Sequence, residues 1–164
     1  MRRVALCESP FLPIAIVEVD GAIARIDWGD LTAWDSAARD ALTPTPLLAE
    51  AIRQLTAYFE GTLRDFDLPL APVGTPFQRA VWDELRRIPY GQTRSYGEIA
   101  RRLGNPRATR AVGMANHKNP ISIVIPCHRV IGGNGQLVGY ASGLDIQRGL
   151  LSLEGARFGE RRRP

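Results

Sequence analysis

The sequence predicts a chain in two parts: an α/β unit over residues 1–72, then a mostly α-helical unit with a helix-turn-helix over residues 73–164. Three observations carry this reading. Residues 13–28 hold two β-rich runs about an Asp-Gly pair, residues 75–116 hold short helices with their own start and stop signals, and the charge changes sign between the halves. The 164-residue chain has a net charge of +4, but residues 1–72 carry six Arg against eleven acids, net −5, and residues 73–164 carry fifteen Lys or Arg against six acids, net +9. A basic half joined to an acidic half points to one surface that meets a polyanion, most often nucleic acid.

Taken in order, residues 13–19 and 22–28 are β-rich runs on either side of Asp20-Gly21, the signature of a hairpin. Leu48, Ile52, Leu55, Tyr58 and Phe59 then recur at helical spacing over 47–59, with Gly61 as the stop. This half contains no charged or nucleophilic cluster and reads as scaffold. Pro69, Pro72 and Gly74 mark a linker over 65–74. Thr75 caps a helix that starts at Pro76 and runs to Ile88, where Pro89-Tyr90-Gly91 stops it. Ser95 caps the next helix, 96–103, with Glu98 at the capping-box position. Gly104-Asn105 turns the chain, and Pro106 opens a third helix with Arg107, Arg110, Val112 and Met114 that fades near Asn116. Two short helices about a Gly-containing turn form a helix-turn-helix, whose second helix is expected to meet DNA. Helical hairpins of this size also serve as plain packing units; Arg107 and Arg110, in the half of net charge +9, favour DNA. Residues 132–135 and 139–143 are glycine-rich loops, and Asp145 caps a last helix that reaches Leu153-Glu154-Gly155.

The chemistry concentrates at Pro126-Cys127-His128-Arg129-Val130, entered from the apolar, strand-like run 121–125. A thiol is a strong nucleophile only as thiolate, and a neighbouring imidazole or cation is the usual way to obtain one near neutral pH. Taken alone, a cysteine behind apolar residues is a small buried hydrophobe. Pro126, His128 and Arg129 shift the reading towards a nucleophile, since a filler residue needs none of them. Cys7 and Cys127 are the two cysteines, and His117 and His128 the two histidines. There is thus no disulfide framework, and ligands for a four-coordinate zinc run short, so neither metal nor cofactor is expected. No apolar run is long enough to cross a bilayer, and Val4-Ala5-Leu6 after Met1-Arg2-Arg3 is too short a core for a secretion signal. The expected setting is the cytoplasm, or the nucleus in a eukaryote, where the thiol stays reduced.

With Pro-Cys-His-Arg-Val after a helix-turn-helix and Arg110-Ala111-Val112-Gly113 on its second helix, the chain resembles the O6-alkylguanine-DNA alkyltransferases, or methylated-DNA–protein-cysteine methyltransferases. The resemblance runs from Phe77 to Gly155 through Val81-Trp82, Ile88-Pro89-Tyr90-Gly91, Ser95-Tyr96, Gly104-Asn105-Pro106, Asn119-Pro120, Gly139-Tyr140 and Leu153-Glu154-Gly155. It implies an N-terminal ribonuclease-H-like α/β domain followed by a winged-helix-like DNA-binding domain. Some relatives hold a structural zinc in the first domain, for which this chain lacks the ligands. Others are non-catalytic and carry tryptophan in place of the nucleophile, where this chain has Cys127.

Carried over residue by residue, the resemblance makes Cys127 the alkyl acceptor, His128 its base through a water, and Glu154 the residue that orients the base. Arg110 becomes the finger that replaces a flipped guanine. Tyr96 presses on the target phosphate and donates to guanine N3, and Asn119 holds the cysteine loop. Asn105, Arg107 and Thr109 complete the DNA contacts. The backbone of Cys127 and Val130 reads the guanine edge, while Tyr140, Ser142 and Trp82 wall the pocket. The implied partner is double-stranded DNA containing O6-alkylguanine, with O4-alkylthymine left open; no membrane is involved, and the protein is expected as a monomer, with cooperative assembly on DNA left open. The physics agrees: the O6-alkyl carbon is out of reach within a duplex, so the nucleotide must be turned out, and a planar guanidinium suits the vacated stack. A Cys-His-Glu relay is expected to lower the pKa of the thiol, and a thioether product with no means of cleavage implies one turnover per molecule. Two other classes fit parts of the pattern: a non-enzymatic helix-turn-helix regulator or alkylation sensor, and a cysteine hydrolase using Cys127, His128 and Glu154.

Overall fold

Asp20 and Gly21 turn the chain at φ 49° and 82°, values that an Asp-Gly pair adopts readily in a hairpin turn. In the computed structural model, which describes residues 2–29, 44–138, 140 and 143–159, they join β2 (Ile14–Val19) to β3 (Ala22–Trp28) as the sequence leads one to expect. The register slips between Val17 and Glu18, a bulge that leaves Ala24 unpaired. A strand that the sequence did not announce, β1 (Arg2–Cys7), pairs antiparallel with β2 from Arg2↔Val19 to Cys7↔Ile14. Six residues beginning with two arginines give too short a pattern to declare a strand. With β1 and β3 on either side, β2 is the middle strand and is buried almost throughout. Ala15, Val17 and Val4 form a cluster on one face, and Ile14 and Ile16 point to the other.

Helix α1 (Pro46–Phe59) packs on β1 and β2; its N-terminus is capped by Thr45, whose hydroxyl accepts the Leu48 N–H at 3.1 Å. The expected linker over 65–74 is in large part anchored. Gln54, buried on α1, donates to the Asp67 carbonyl at 3.0 Å and accepts its N–H at 2.9 Å, and Ile23 exchanges backbone hydrogen bonds with Pro69 and Ala71. The prolines here end regular structure without freeing the chain. Met1–Val73 together with Pro120–Ser122 make one unit, because Ile26 bonds the Pro120 carbonyl and accepts from the Ser122 N–H. The run 121–125 is therefore no regular strand: Ile121 is a single bridge residue and the chain then turns.

The second unit, Gly74–Asn119 with Ile123–Pro164, is built on three short helices. Helix α2 (Pro76–Leu85) begins in a reciprocal capping box, Thr75 hydroxyl to Gln78 N–H and Gln78 side chain to Thr75 N–H. It ends three residues earlier than expected, with Arg87 and Ile88 tightening onto the carbonyls of Glu84 and Leu85. Strand β4 (Arg94–Ser95) leads into α3 (Tyr96–Arg102), where Ser95 caps the Glu98 N–H at 3.1 Å. Gly104, at φ 76°, makes the turn. The expected third helix is two pieces, a 3₁₀ turn at Pro106–Ala108 and α4 (Thr109–His117). The three helices pack against one another; the buried Trp82 of α2 donates its indole N–H to the Ala115 carbonyl of α4 at 2.9 Å. Glu84, buried on α2, meets Arg87 at 2.7 Å and Arg102 of α3 at 3.7 Å.

A 3₁₀ turn at Cys127–Arg129 runs into β5 (Val130–Ile131), which pairs parallel with β4 and thereby sets the thiol turn beside the start of α3. Helix α5 (Leu144–Leu153) closes the unit. Asp145 does not cap it: Gly143, at φ 105°, holds that position without a side-chain bond, and Asp145 lies in the first turn, 3.7 Å from Arg148. Among the described residues no helix is long and apolar enough to cross a membrane.

Gly74 offers a test of this packing. A Cβ there would lie 2.6 Å from Cζ3 of Trp82 and 2.8 Å from Oε1 of Gln78, and both neighbours are tied down, one to Ala115 and one in the capping box. Gly74→Ala should cost about 1–3 kcal/mol by overpacking, read as a lower midpoint in thermal unfolding; an unchanged midpoint would mean that the indole shifts freely.

Candidate active site

The backbone that carries Cys127 is held by side-chain amides. Asn119 Nδ2 donates to the Ile125 carbonyl at 2.8 Å, Asn116 Nδ2 to that of Cys127 at 3.4 Å, and Gln147 Nε2 to those of His128 and Val130 at 3.1 and 3.0 Å. Cys127 N–H turns back on Ile125 at 2.8 Å, and Arg129 N–H on Pro126 at 3.0 Å. The approach is strained, since the buried Ile123 sits at φ 73°, which a β-branched side chain resists at a cost of about 1–3 kcal/mol.

Beneath the turn lies a buried carboxylate. His128 Nε2 is 2.7 Å from Glu154 Oε2, and Arg129 closes on the same carboxylate with Nε to Oε1 at 2.8 Å and Nη2 to Oε2 at 3.0 Å. The Gly91 N–H adds a bond to Oε1 at 3.2 Å. The remaining donor of Arg129, Nη1, reaches the Ile88 carbonyl at 2.7 Å, and the guanidinium lies 5.7 Å from the centre of the Tyr90 ring. Burial alone would raise the Glu154 carboxyl, but His128 and Arg129 outweigh it and hold the group well below the usual carboxylate range. Burial pushes the His128 imidazole down against the pull of Glu154, and the charge of Arg129 adds to the fall. The stable arrangement is an ionised Glu154 accepting Nε2–H from a neutral imidazole. That leaves Nδ1, buried and without a protein partner, as the basic nitrogen.

Cys127 is 5% exposed. Burial pushes its thiol up; hydrogen bonds with the Asn119 and Tyr140 side chains and the backbone of Cys127 and His128 act the other way without prevailing. This corrects the expectation of a thiol whose pKa the relay has lowered. Desolvation is the larger effect, and Arg129, read from the sequence as a source of positive potential for the sulfur, is spent on Glu154. Tyr96 is half-buried, with its hydroxyl donating to the Val138 carbonyl at 3.1 Å. Its phenol is pushed up by burial and then by the neighbouring Cys127, against a bond with Asn116.

The structure thus brings Cys127, His128, Glu154, Tyr96, Asn119 and Tyr140 together. Arg107, Thr109 and Arg110 lie exposed around the start of α4, and Asn105, also exposed, precedes the 3₁₀ turn with no side-chain cap bond. Trp82 is buried and pins α2 to α4 through its indole N–H. Ser142 lies outside the described residues. The Val130 carbonyl is already engaged by Gln147, and that of Cys127 both by Asn116 and by the Val130 N–H. Sequence reading missed Asn116, Gln147 and the grip of Arg129 on Glu154. A signal for Gln147 existed, because positions 146, 147, 150, 151 and 154 form the buried stripe of α5 and its C-cap, and two of these five residues are polar.

Residues 3–72 match the family model of the 6-O-methylguanine DNA methyltransferase ribonuclease-like domain, and residues 76–156 that of the 6-O-methylguanine DNA methyltransferase DNA binding domain. A methylated-DNA–protein-cysteine methyltransferase of Methanosarcina barkeri is 51% identical over 149 residues, 91% of this chain and 94% of that protein. One of Mycobacterium leprae is 46% identical over 147 residues, 90% of this chain and 88% of that protein. Among solved structures, the O6-methylguanine methyltransferase of Mycobacterium tuberculosis aligns with a TM-score of 0.81 at 44% identity, covering 94% of this chain and 93% of that one. A Mycobacterium tuberculosis OGT in complex with DNA aligns at 0.79 and 44%, covering 94% and 92%.

The buried pair makes stability depend on pH. The folded-state pKa of His128 lies below its ordinary 6.5 and that of Glu154 below its ordinary 4.5. Each group therefore binds fewer protons folded than unfolded as the pH falls past those values, and stability, full above 6.5, drops first through His128 and later through Glu154. Thermal unfolding followed from about pH 8 down to about pH 5 should show the midpoint falling more steeply in the native protein than in His128→Gln. Parallel curves would show that His128 is not buried neutral.

Proposed function

The chain belongs to the 6-O-methylguanine DNA methyltransferase family, and on that premise we propose that it repairs DNA by moving an alkyl group from guanine O6 onto the sulfur of Cys127. The observation that carries the assignment to this residue is a thiol next in sequence to an imidazole whose outer nitrogen is bonded to an ionised carboxylate and whose inner nitrogen has no protein partner. On this reading residues 1–72 are the scaffold and residues 73–164 bind DNA and accept the alkyl group. The partner is duplex DNA, as in the complex of the Mycobacterium tuberculosis relative. The place of action is wherever the genome lies, the cytoplasm or, in a eukaryote, the nucleus.

Arg110 on the exposed face of α4 enters the base stack and the alkylated guanine turns out beneath it, at a cost of a few kcal/mol for unstacking. Arg107, Thr109 and Asn105 fix the phosphates. In the pocket His128 Nδ1 takes the thiol proton through one water molecule. The S–C bond forms as the C–O6 bond breaks, the electron pair stays with guanine, and the base takes up a proton to leave neutral. Tyr96 exchanges its bond to Val138 for guanine N3 and stabilises the charge on the ring. Because burial keeps Cys127 a thiol at rest, the nucleophile forms only when the substrate is in place, which protects it from stray electrophiles and oxidants. The thioether is not reopened, so each molecule acts once.

Incubation with duplex DNA containing O6-methylguanine, followed by intact-mass measurement, should show a single methyl adduct located at Cys127. DNA binding without adduct would favour the regulator, and turnover of esters or peptides the hydrolase. Cys127→Ala should abolish transfer and keep DNA binding, whereas Arg110→Ala should weaken both; unchanged repair by the latter on duplex substrate would remove the finger assignment. Glu154→Gln should slow single-turnover transfer by about a hundredfold or more, the scale of general-base catalysis, and a rate within a factor of about two of the native protein would exclude that carboxylate from the relay. Affinity for DNA should fall as salt rises.

A further inference from the structure

Helix α5 delivers two polar side chains to the same residue. Glu154, immediately after its end, takes the ring of His128, and Gln147, two turns earlier on the same buried stripe, takes its backbone. Gln147 is 1% exposed, and its Nε2 donates one hydrogen to the His128 carbonyl at 3.1 Å and the other to the Val130 carbonyl at 3.0 Å. Both neighbours are acceptors, so only the amide nitrogen can face them. The other end of the amide, Oε1, is buried with no partner. A buried acceptor left unpaired is costly, and leucine, which fits the apolar neighbours Leu150 and Leu151, would avoid that cost. What leucine cannot supply is the pair of donated bonds. They bracket Arg129, fixing the exit of the 3₁₀ turn that carries the thiol at its start and, at its middle, the residue that serves as base.

We propose that Gln147 is a positioning residue for the transfer reaction: by clamping the His128 and Val130 carbonyls it holds the imidazole Nδ1 and the guanine-reading backbone in one fixed frame. The proposal rests on the function given above. His128 is then held at two points by one rigid helix, backbone by Gln147 and ring by Glu154, and cannot rotate away from the sulfur while a bulky purine enters.

Two variants test it, with the native protein and duplex DNA containing O6-methylguanine as reference. Gln147→Leu keeps the volume and removes both donors; single-turnover transfer should slow about tenfold, the worth of one to two hydrogen bonds, with affinity for undamaged duplex unchanged. Gln147→Glu keeps the shape and donates one bond only while protonated. Once ionised it repels both carbonyls, so its rate deficit should widen as pH rises through the titration of the new carboxyl, a trend that a filler role would not produce. The ¹⁵N shifts of the His128 ring in free protein should move in both variants, and in Gln147→Glu with the same pH dependence as the rate. Native rates with native His128 shifts in both variants would overturn the proposal. If the native protein forms no adduct, the repair reading fails by itself, and the His128 shifts alone decide whether Gln147 positions that ring.

Discussion

A single buried carboxylate organises the second unit. Glu154 accepts from His128, twice from Arg129, and from the Gly91 backbone, so four donors from two separate stretches of chain meet at two oxygen atoms. An ionised carboxylate away from water is tolerated only when paired and saturated with donors. Removing any one donor would leave part of that carboxylate unpaired away from water, which is why the end of α5, the Cys127–Arg129 turn and the Pro89–Gly91 stop must come together as one piece. Arg129 brings a permanent partner to that balance. Its guanidinium supplies the permanent charge, and the imidazole can therefore remain neutral and basic.

The thiol lives under the opposite condition. Among the described residues no cation offsets the burial that makes its ionisation unfavourable. The permanent anion of the site sits behind the imidazole, where it is saturated, and on the proposed function the transient one forms at sulfur only as the alkylated base arrives. A cysteine activated in advance would react with whatever entered, and in a protein that acts once per molecule each such event is a loss.

Three carboxamides, Asn116, Asn119 and Gln147, capture four of the backbone carbonyls around Cys127. A segment with a strained Ile123 and a single 3₁₀ turn has few regular partners for its polar groups, and buried carbonyls must find donors somewhere. Side-chain amides on α4, just beyond its end and on α5 supply them. The loop gains the rigidity of secondary structure without its geometry.

Much of this was legible in the order of residues. The Asp-Gly hairpin, the caps at Thr75 and Ser95, the glycine turn at Gly104 and the Cys-His pair are local, set by backbone conformations that few residue types adopt and by hydrogen bonds a few positions apart. The charge split and the cationic second helix are sums over sequence and need no fold to be counted. Long-range packing decided the rest. Strand β1 exists because β2 offers it an edge, the segment around Pro69 is anchored because Ile23 and Gln54 reach it, and Asp145 yields the cap position because Gly143 adopts a backbone conformation closed to most side chains. Above all, whether the thiol is raised or lowered depends on how much water is removed and where the nearest cation points. Sequence established that a thiol, a base and a carboxylate were present; only the tertiary structure determined that Arg129 turns to the carboxylate, because desolvation and the direction of a guanidinium are properties of three-dimensional surroundings and leave no trace in neighbouring letters.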